Sequence, residues 1–484
     1  MAKSYPVPPL HIFERLQISD GLLMNADLWH QAHDYHRQRQ NFVYQALHHP
    51  AIIYGLGVVA IHPPSDVQST YRDRRWVEVQ PGVAIDAQGN PIVVNQPEPF
   101  RIESEPSPDE HLLVYLTVSY VDPDEMRATL SDRLTIAERF RIVEKMTLGP
   151  NDVELCRIML SGKEITGKEI TAKEIAIAAA ANVFHPQANE LDLRYRPTIQ
   201  FRPTGTVHLA QLTNNVPTDD TTTLNLQYLL IALGQLSPHL TSSDAIEHIP
   251  LSPSASLPSP ATPLPTLLYA PWALLQQSDV DGSDRLTAAI HTTLQNWGTV
   301  LITATFAEAG LDNLYQLQQE LRGALENLED SPDLAAMRHN LENELRAFDQ
   351  DIGHQIQSLV QSVKSMMESM DHTLHGDGVL SPLHPLRTTP FLFSQLPQVK
   401  STPITLFQWG QVLLLIGDLS AYWGPDDTWQ RSRTAIRTAH EFGVNLLTFA
   451  WQQQHLTQLQ RIEESPTSPT STGSLRDRRP RQGE

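Results

Sequence analysis

The stretch Trp76-Val77-Glu78-Val79-Gln80-Pro81-Gly82-Val83-Ala84-Ile85-Asp86-Ala87-Gln88-Gly89-Asn90-Pro91-Ile92-Val93-Val94 reads as three short strands joined by two turns. Its apolar runs are four residues long, rich in Val and Ile, and bounded by Pro, Gly, Asp and Asn, which is the pattern of strands rather than of a helix. Gly82 and Gly89 suit turns that need a positive φ, and the Asp86 carboxylate can cap the second bend by accepting from backbone N–H groups.

Working outward, residues 20–50 read as a helix. Leu23, Met24, Leu28 and Trp29, then Phe42, Val43 and Leu47, recur at helical spacing with His and Arg between them. Downstream, Leu112–Val121 is the clearest strand of the chain, and Val153–Leu160 reads as another. The expectation for residues 1–235 is an N-terminal helix plus a β-rich module. Within it, Lys163-Glu164-Ile165-Thr166-Gly167 begins a period-five repeat that continues to Ala176. Five matches neither a strand face nor a helical turn, so it reads as an expanded loop. Residues 236–265 carry Pro, Ser and Thr at the density of a linker.

After the linker, strands alternate with helices over 266–462, which implies a parallel sheet with helices on its faces. The expected strands are Leu267–Tyr269, Gly298–Thr303, Gln411–Asp418 and Val444–Phe449; the expected helices are Asp284–Trp297 and Asp427–Phe442. Inserted at about 309–371 is the most regular pattern of the chain. Leu334, Leu345, Ile356 and Met367 recur every eleven residues, with parallel tracks through Met337, Phe348, Leu359 and Met370 and through Leu341, Ile352 and Val363. An eleven-residue repeat keeps one apolar stripe on a nearly straight helix. Ser331-Pro332-Asp333 supplies a capping hydroxyl and a first-turn Pro. With the helical stretch Leu311–Leu328, this predicts an antiparallel hairpin. Two readings of its stripe stay open: the pair closes on itself, or part of the stripe meets another subunit. Residues 463–484 read as a disordered tail.

The totals limit the function. A net charge of −20 disfavours nucleic acid and anionic membrane as partners. No apolar run approaches the roughly 20 residues of a membrane-spanning helix, and the first residues lack the apolar core of a signal peptide, so a cytoplasmic location is expected. The single cysteine, Cys156, allows no internal disulfide and reads as a small buried hydrophobe. His30, His33 and His36 invite a metal assignment, yet His30 and His36 stand about 240° apart around a helix and do not converge on one ion. No phosphate-binding loop, nucleophile elbow or Cys-x-x-Cys occurs. Asp418–Trp423 follows a strand where open α/β sheets bind ligands, with His384, Arg431, Arg433 and Arg437 as possible polar company. It contains no nucleophile paired with a base.

Two regions resemble known families. Tyr35-His36-Arg37, then Ile52-Ile53-Tyr54-Gly55-Leu56-Gly57-Val58, then Val77 through Pro81, Gly82, Asp86, Gly89 and Ile92, resemble the N-terminal module of baseplate-associated proteins of contractile injection systems and phage-tail-like particles; Leu191–Pro197 fits the same module. Pro50 and Ala51 stand where that family has glycines. His384-Pro385-Leu386, Asp418–Trp423 and Arg437–Phe449 resemble, more weakly, an α/β domain of flavodoxin- or amidotransferase-like fold, without the nucleophilic cysteine that an amidotransferase needs. The first resemblance implies a structural subunit with no catalytic, cofactor or metal site. Its expected partners are other baseplate, sheath or tube subunits and further copies of itself, and it meets a membrane only through the particle. The expected assembly residues are Tyr35, Arg37, Gly55, Gly57, Pro81, Gly82, Asp86 and Gly89 in the first module and Leu334, Leu345, Ile356 and Met367 on the long helix. The alternatives are a ligand-binding or enzymatic protein using the crevice near Asp418–Trp423, and a free-standing oligomeric adaptor.

Overall fold

A computed structural model describes residues 8, 10–107, 110–122, 137–161, 175–214, 221–243, 245–251, 264–277, 280–328, 331–399, 402–426 and 430–460. These form a mixed α/β protein with eight α-helices, and the chain divides into two compact units after Arg202.

The first unit opens with helix α1, Ala26–Leu47, started by the Asn25 side chain, which accepts from Leu28 N at 2.9 Å. Six short strands follow: β1 Ala51–Gly55, β2 Val58–Ala60, β3 Trp76–Val79, β4 Gly82–Ile85, β5 Pro91–Val94 and β6 Glu98–Arg101. Strands β1, β4 and β5 pair in that order, all antiparallel, and so do β2, β3 and β6. The long strands β7 His111–Val121, β8 Arg139–Lys145 and β9 Val153–Ser161, with the short β10 Ala178–Ala179 and β11 Glu190–Asp192, make a third sheet in the order β10-β11-β9-β7-β8. Alternate residues of these strands, such as Val77 and Val79, or Val114, Leu116 and Val118, point into one shared core. Cys156 belongs to it and is 0% exposed.

The second unit begins with β12 Gly205–Val207 and β13 Leu209–Thr213, then α2 Thr221–Leu236, β14 Leu240–Ser242 and β15 Glu247–Pro250. Next come β16 Leu267–Pro271, α3 Trp272–Gln277, α4 Val280–Gln295 and β17 Thr299–Ala304. The chain continues with α5 Asp312–Glu326, α6 Ala335–Ser369, α7 Pro385–Thr388 and the small pair β18 Gln398–Val399 and β19 Thr402–Pro403. It finishes with β20 Thr405–Trp409, β21 Val412–Ile416 and α8 Arg433–Leu459. The main sheet has the order β15-β13-β16-β17-β21-β20; its first five strands are parallel, and β20 turns back antiparallel on β21. The central strands β17 and β21 are buried at every residue, as expected of a sheet covered on both faces.

Three expectations change. The sequence divides 205–250 between the β-rich module and a linker, yet β13 lies inside the main sheet between β15 and β16. Strand partners more than 30 residues away place it there, Ala210 opposite Glu247 and Leu209 opposite Leu267, and local composition does not reveal them. Val444–Phe449 is not a strand but the middle of α8. Every residue from Phe442 to Ala450 is buried, so this stretch of the helix is enclosed all round and shows no 3.6-residue stripe. The start of α6 is made by a turn of 3-10 helix at Pro332–Leu334, and no side chain caps it. The Lys-Glu-Ile repeat through Glu174, residues 252–263 and the tail 463–484 lie outside the described residues.

Candidate assembly site

The turn Asp86–Asn90 is built around one carboxylate. Asp86 is 4% exposed; its Oδ1 accepts from Gln88 N at 2.9 Å and Asn90 N at 2.8 Å, and its Oδ2 accepts from Asn90 Nδ2 at 3.0 Å. Burial raises the carboxyl above its usual range, although the hydrogen bonds from Asn90 and Gln88 pull it back down. This turn sits against α1. The side-chain amides of Asn41 and Asn90 meet at 2.6 Å, and Gln45 Nε2 donates to the Gln88 carbonyl. Gly89 has φ +80°, and a Cβ there would stand 2.9 Å from Asn41 Cα and nearer still to its carbonyl oxygen. Glycine is therefore required both by the left-handed backbone and by the contact with the helix.

A second close approach lies where β1 turns into β2. Gly55 has φ +69°, and a Cβ on it would come 2.8 Å from Gly82 Cα; one on Gly82 would come 2.8 Å from the Gly55 carbonyl carbon. The strands interlock through Leu56 N donating to Pro81 O at 3.2 Å and Gln80 N to Gly57 O at 2.7 Å. Gly57 itself is not forced: a Cβ there would meet Gln80 Cγ at an ordinary 3.5 Å.

The expected residues therefore separate into two kinds. Gly82, Asp86 and Gly89 are buried and shape the module from inside, whereas Gly55 and Pro81 are exposed where β1 and β4 cross. Tyr35 and Arg37 lie on α1. Arg37 pairs with Asp34 and Asp122, both at 3.1 Å, and Arg39 donates to the Tyr35 hydroxyl at 3.2 Å. Asn41, Gln45, Gln88 and Asn90, which join helix to turn, escaped the sequence reading because their partners are more than 40 residues away. Beside α1 opens a cleft of about 460 Å³ lined by Ile12, Glu14, Asp27, His30, Asp34 and Tyr35. The His33 ring is tilted by 31° against Trp29 with ring centroids 6.1 Å apart, and His36 lies edge-on to Tyr35. Among the described residues no three His, Cys, Asp or Glu side chains are grouped to hold a metal ion.

On α6 the eleven-residue stripe changes character along its length. Ile352, Leu359, Val363 and Met367 are buried in the core of the second unit, whereas Leu334, Leu345 and Ile356 are half-buried. Met367, at 0% exposure, packs the core and is not on a free surface. Beside α6, Gln318 of α5 donates to Asp349 Oδ1 at 2.5 Å, and Arg338 donates to Leu328 O at 3.1 Å. At the C-terminal end of β21, Asp418 Oδ1 accepts from Phe306 N at 3.2 Å. Trp423 is fully buried, with Nε1 donating to Ala439 O at 2.9 Å. Arg431 turns back to the Ala421 carbonyl, His384 caps α7, and Arg437 pairs with Glu441 at 2.8 Å. Each polar residue expected around this crevice thus has a local structural partner, apart from Arg433, which is exposed at the start of α8.

No protein-family model matches this chain, and no curated protein matches it. No helix among the described residues is long and apolar enough to cross a membrane.

Proposed function

We propose that this chain is a structural subunit at the baseplate, or its periphery, of a contractile, phage-tail-like injection particle. It acts by binding other subunits and further copies of itself, in the cytoplasm and within that particle. What supports the reading is the way the motif-bearing residues pack. The Gly55–Gly82 crossing and the Asp86–Asn90 turn are the two ends of β4 with its loop, and the turn is seated on α1. That helix has no buried residue and leaves Trp29, Val43 and Leu47 exposed. A module that leaves large apolar side chains of a helix in solvent is suited to assembly.

For the second unit we infer the finer form of an open sheet of flavodoxin- or amidotransferase-like kind. Taken in chain order, its five parallel strands lie two-one-three-four-five across the sheet, the order of that class. Helices α5 and α6 then make an inserted hairpin between β17 and β21. The reading is tested by purifying an affinity-tagged chain from its source cells and identifying the co-purifying proteins by mass spectrometry. Sheath, tube or baseplate proteins in stoichiometric amount support it; the chain recovered alone contradicts it.

A further inference from the structure

The second unit holds a pair of histidines that the assembly reading does not use. His291 lies on α4, where the buried Ile290 and Leu294 fix the rotation of the helix and leave His291 and Gln295 together on its exposed side. His372 follows α6, just past Asp371, whose backbone is left-handed at φ +61°. There His372 N donates to Met367 O at 2.9 Å and Asp371 N to Glu368 O at 3.1 Å, which are the bonds of a helix C-terminal cap. Met367 is fully buried, so the cap holds the backbone of His372 to the core of the unit.

The two rings, 81 positions apart in the chain, meet with His291 Nδ1 3.3 Å from His372 Nε2. Neutral imidazoles can share a proton across such a gap, and they can equally share a metal ion. Zinc bonded to imidazole at about 2.0–2.1 Å with tetrahedral angles sets its two nitrogens about 3.3–3.4 Å apart, so this pair already stands at the chelating separation. Gln295, one turn along α4, meets the other nitrogen of His291, Nε2, at 2.5 Å. With its amide oxygen turned to that nitrogen, Gln295 accepts the ring proton there and leaves the Nδ1 lone pair facing His372, the part that outer partners of metal-bound histidines play. The Asp371 carboxylate acts on His372 electrostatically and adds a negative charge beside the pair. Among the described residues no group of three His, Cys, Asp or Glu side chains forms, so the protein supplies two ligands. His291 is exposed, which lets water take the remaining positions.

We infer that His291 and His372 form a two-imidazole site for a divalent transition-metal ion of the zinc type, completed by water. Imidazole nitrogen suits zinc, copper and nickel, whereas magnesium and calcium take oxygen ligands. An ion held there ties α4 to the end of α6. The site goes beyond the assembly reading and stands or falls without it.

Zinc alone is the probe, on the full chain stripped with EDTA and then dialysed against micromolar free zinc. The chain has 20 histidines, so the site is read as a difference. The wild type should retain one more ion than His291→Ala or His372→Ala, and the double variant should lose no more than either single one, because the two rings share one ion. Circular dichroism of these variants should stay that of the wild type, since neither position belongs to the buried core. Gln295→Ala keeps both imidazoles and should weaken this binding about 10–100-fold. Zinc should also raise the thermal midpoint of the wild type and not that of the single variants. Equal zinc in wild type and variants, loss of two ions in the double variant, or unchanged affinity in Gln295→Ala overturns the inference, and so does a wild type whose unfolding is indifferent to zinc.

Discussion

Replacing Gly89 by alanine should lift α1 from the module. Two costs combine at this position. The backbone at φ +80° is left-handed, which costs an ordinary residue about 1–2 kcal/mol. The new Cβ also meets the Asn41 backbone at 2.9 Å or less, and backbone cannot rotate away; forcing an extra methyl into a packed contact costs roughly 1–3 kcal/mol. Together they give about 2–5 kcal/mol, against the roughly 5–15 kcal/mol by which a domain is stable. The strain is released when the helix separates from the turn, so amide exchange of α1 followed by mass spectrometry reads it directly. Protection of amides 37–47 should fall by roughly thirty-fold to several-thousand-fold, at a factor of ten per 1.36 kcal/mol. Gly21 is the control: it has φ +85° with nothing within 4 Å of its would-be Cβ, so Gly21→Ala should leave those amides protected. Equal exchange in the two variants, or wild-type protection in Gly89→Ala, would refute the contact between turn and helix.

Three further outcomes follow from burial. Because the folded chain holds the Asp86 proton to a higher pH than the unfolded chain does, stability should fall as pH rises from the ordinary carboxylate range through the raised value and be level above it. Urea midpoints between about pH 4 and pH 8 should show this slope, and Asp86→Ala should flatten it while costing about 1–3 kcal/mol of turn hydrogen bonding; an unchanged slope counts against the assignment. The Cys156 thiol, pushed up to about 12 by burial, should resist iodoacetamide at neutral pH until denaturant is added, and labelling of the native chain would contradict its place in the core. Met367→Ala should destabilise the second unit by about 2–5 kcal/mol, and Leu345→Ala by about 1 kcal/mol, in thermal unfolding; equal losses would mean that the stripe is buried uniformly along α6.

Local chemistry carried much of the fold into the sequence. The turns at Pro81–Gly82 and Asp86–Asn90, the strand at Leu112–Val121 and the long helix after Pro332 are each set by neighbours a few residues away, and each is found where turn residues and periodicity put it. What stayed hidden depends on distant partners. Leu209–Thr213 and Glu247–Pro250 are short; the first joins the main sheet by pairing with β16, and the second by pairing with the first. Val444–Phe449 has the composition of a buried strand, and only the surrounding packing makes it helix. At the site, Asp86 was legible as the cap of its own bend. Gly89 was legible as a turn residue of positive φ, but its close approach to Asn41, 48 positions upstream, is invisible without the fold. Helix α1 was half legible: its helical spacing was evident, but which of its side chains meet the module is decided by where the β4–β5 turn docks.

The central claim is that this chain works as part of a large particle, and velocity sedimentation of gently lysed source cells tests it most directly. The account predicts that the full chain travels in the fast fractions that contain tail-like particles under negative stain, and that Gly89→Ala shifts it toward the slow ones. A wild-type chain that stays among free proteins at the top of the gradient, while the particles sediment without it, would contradict the account.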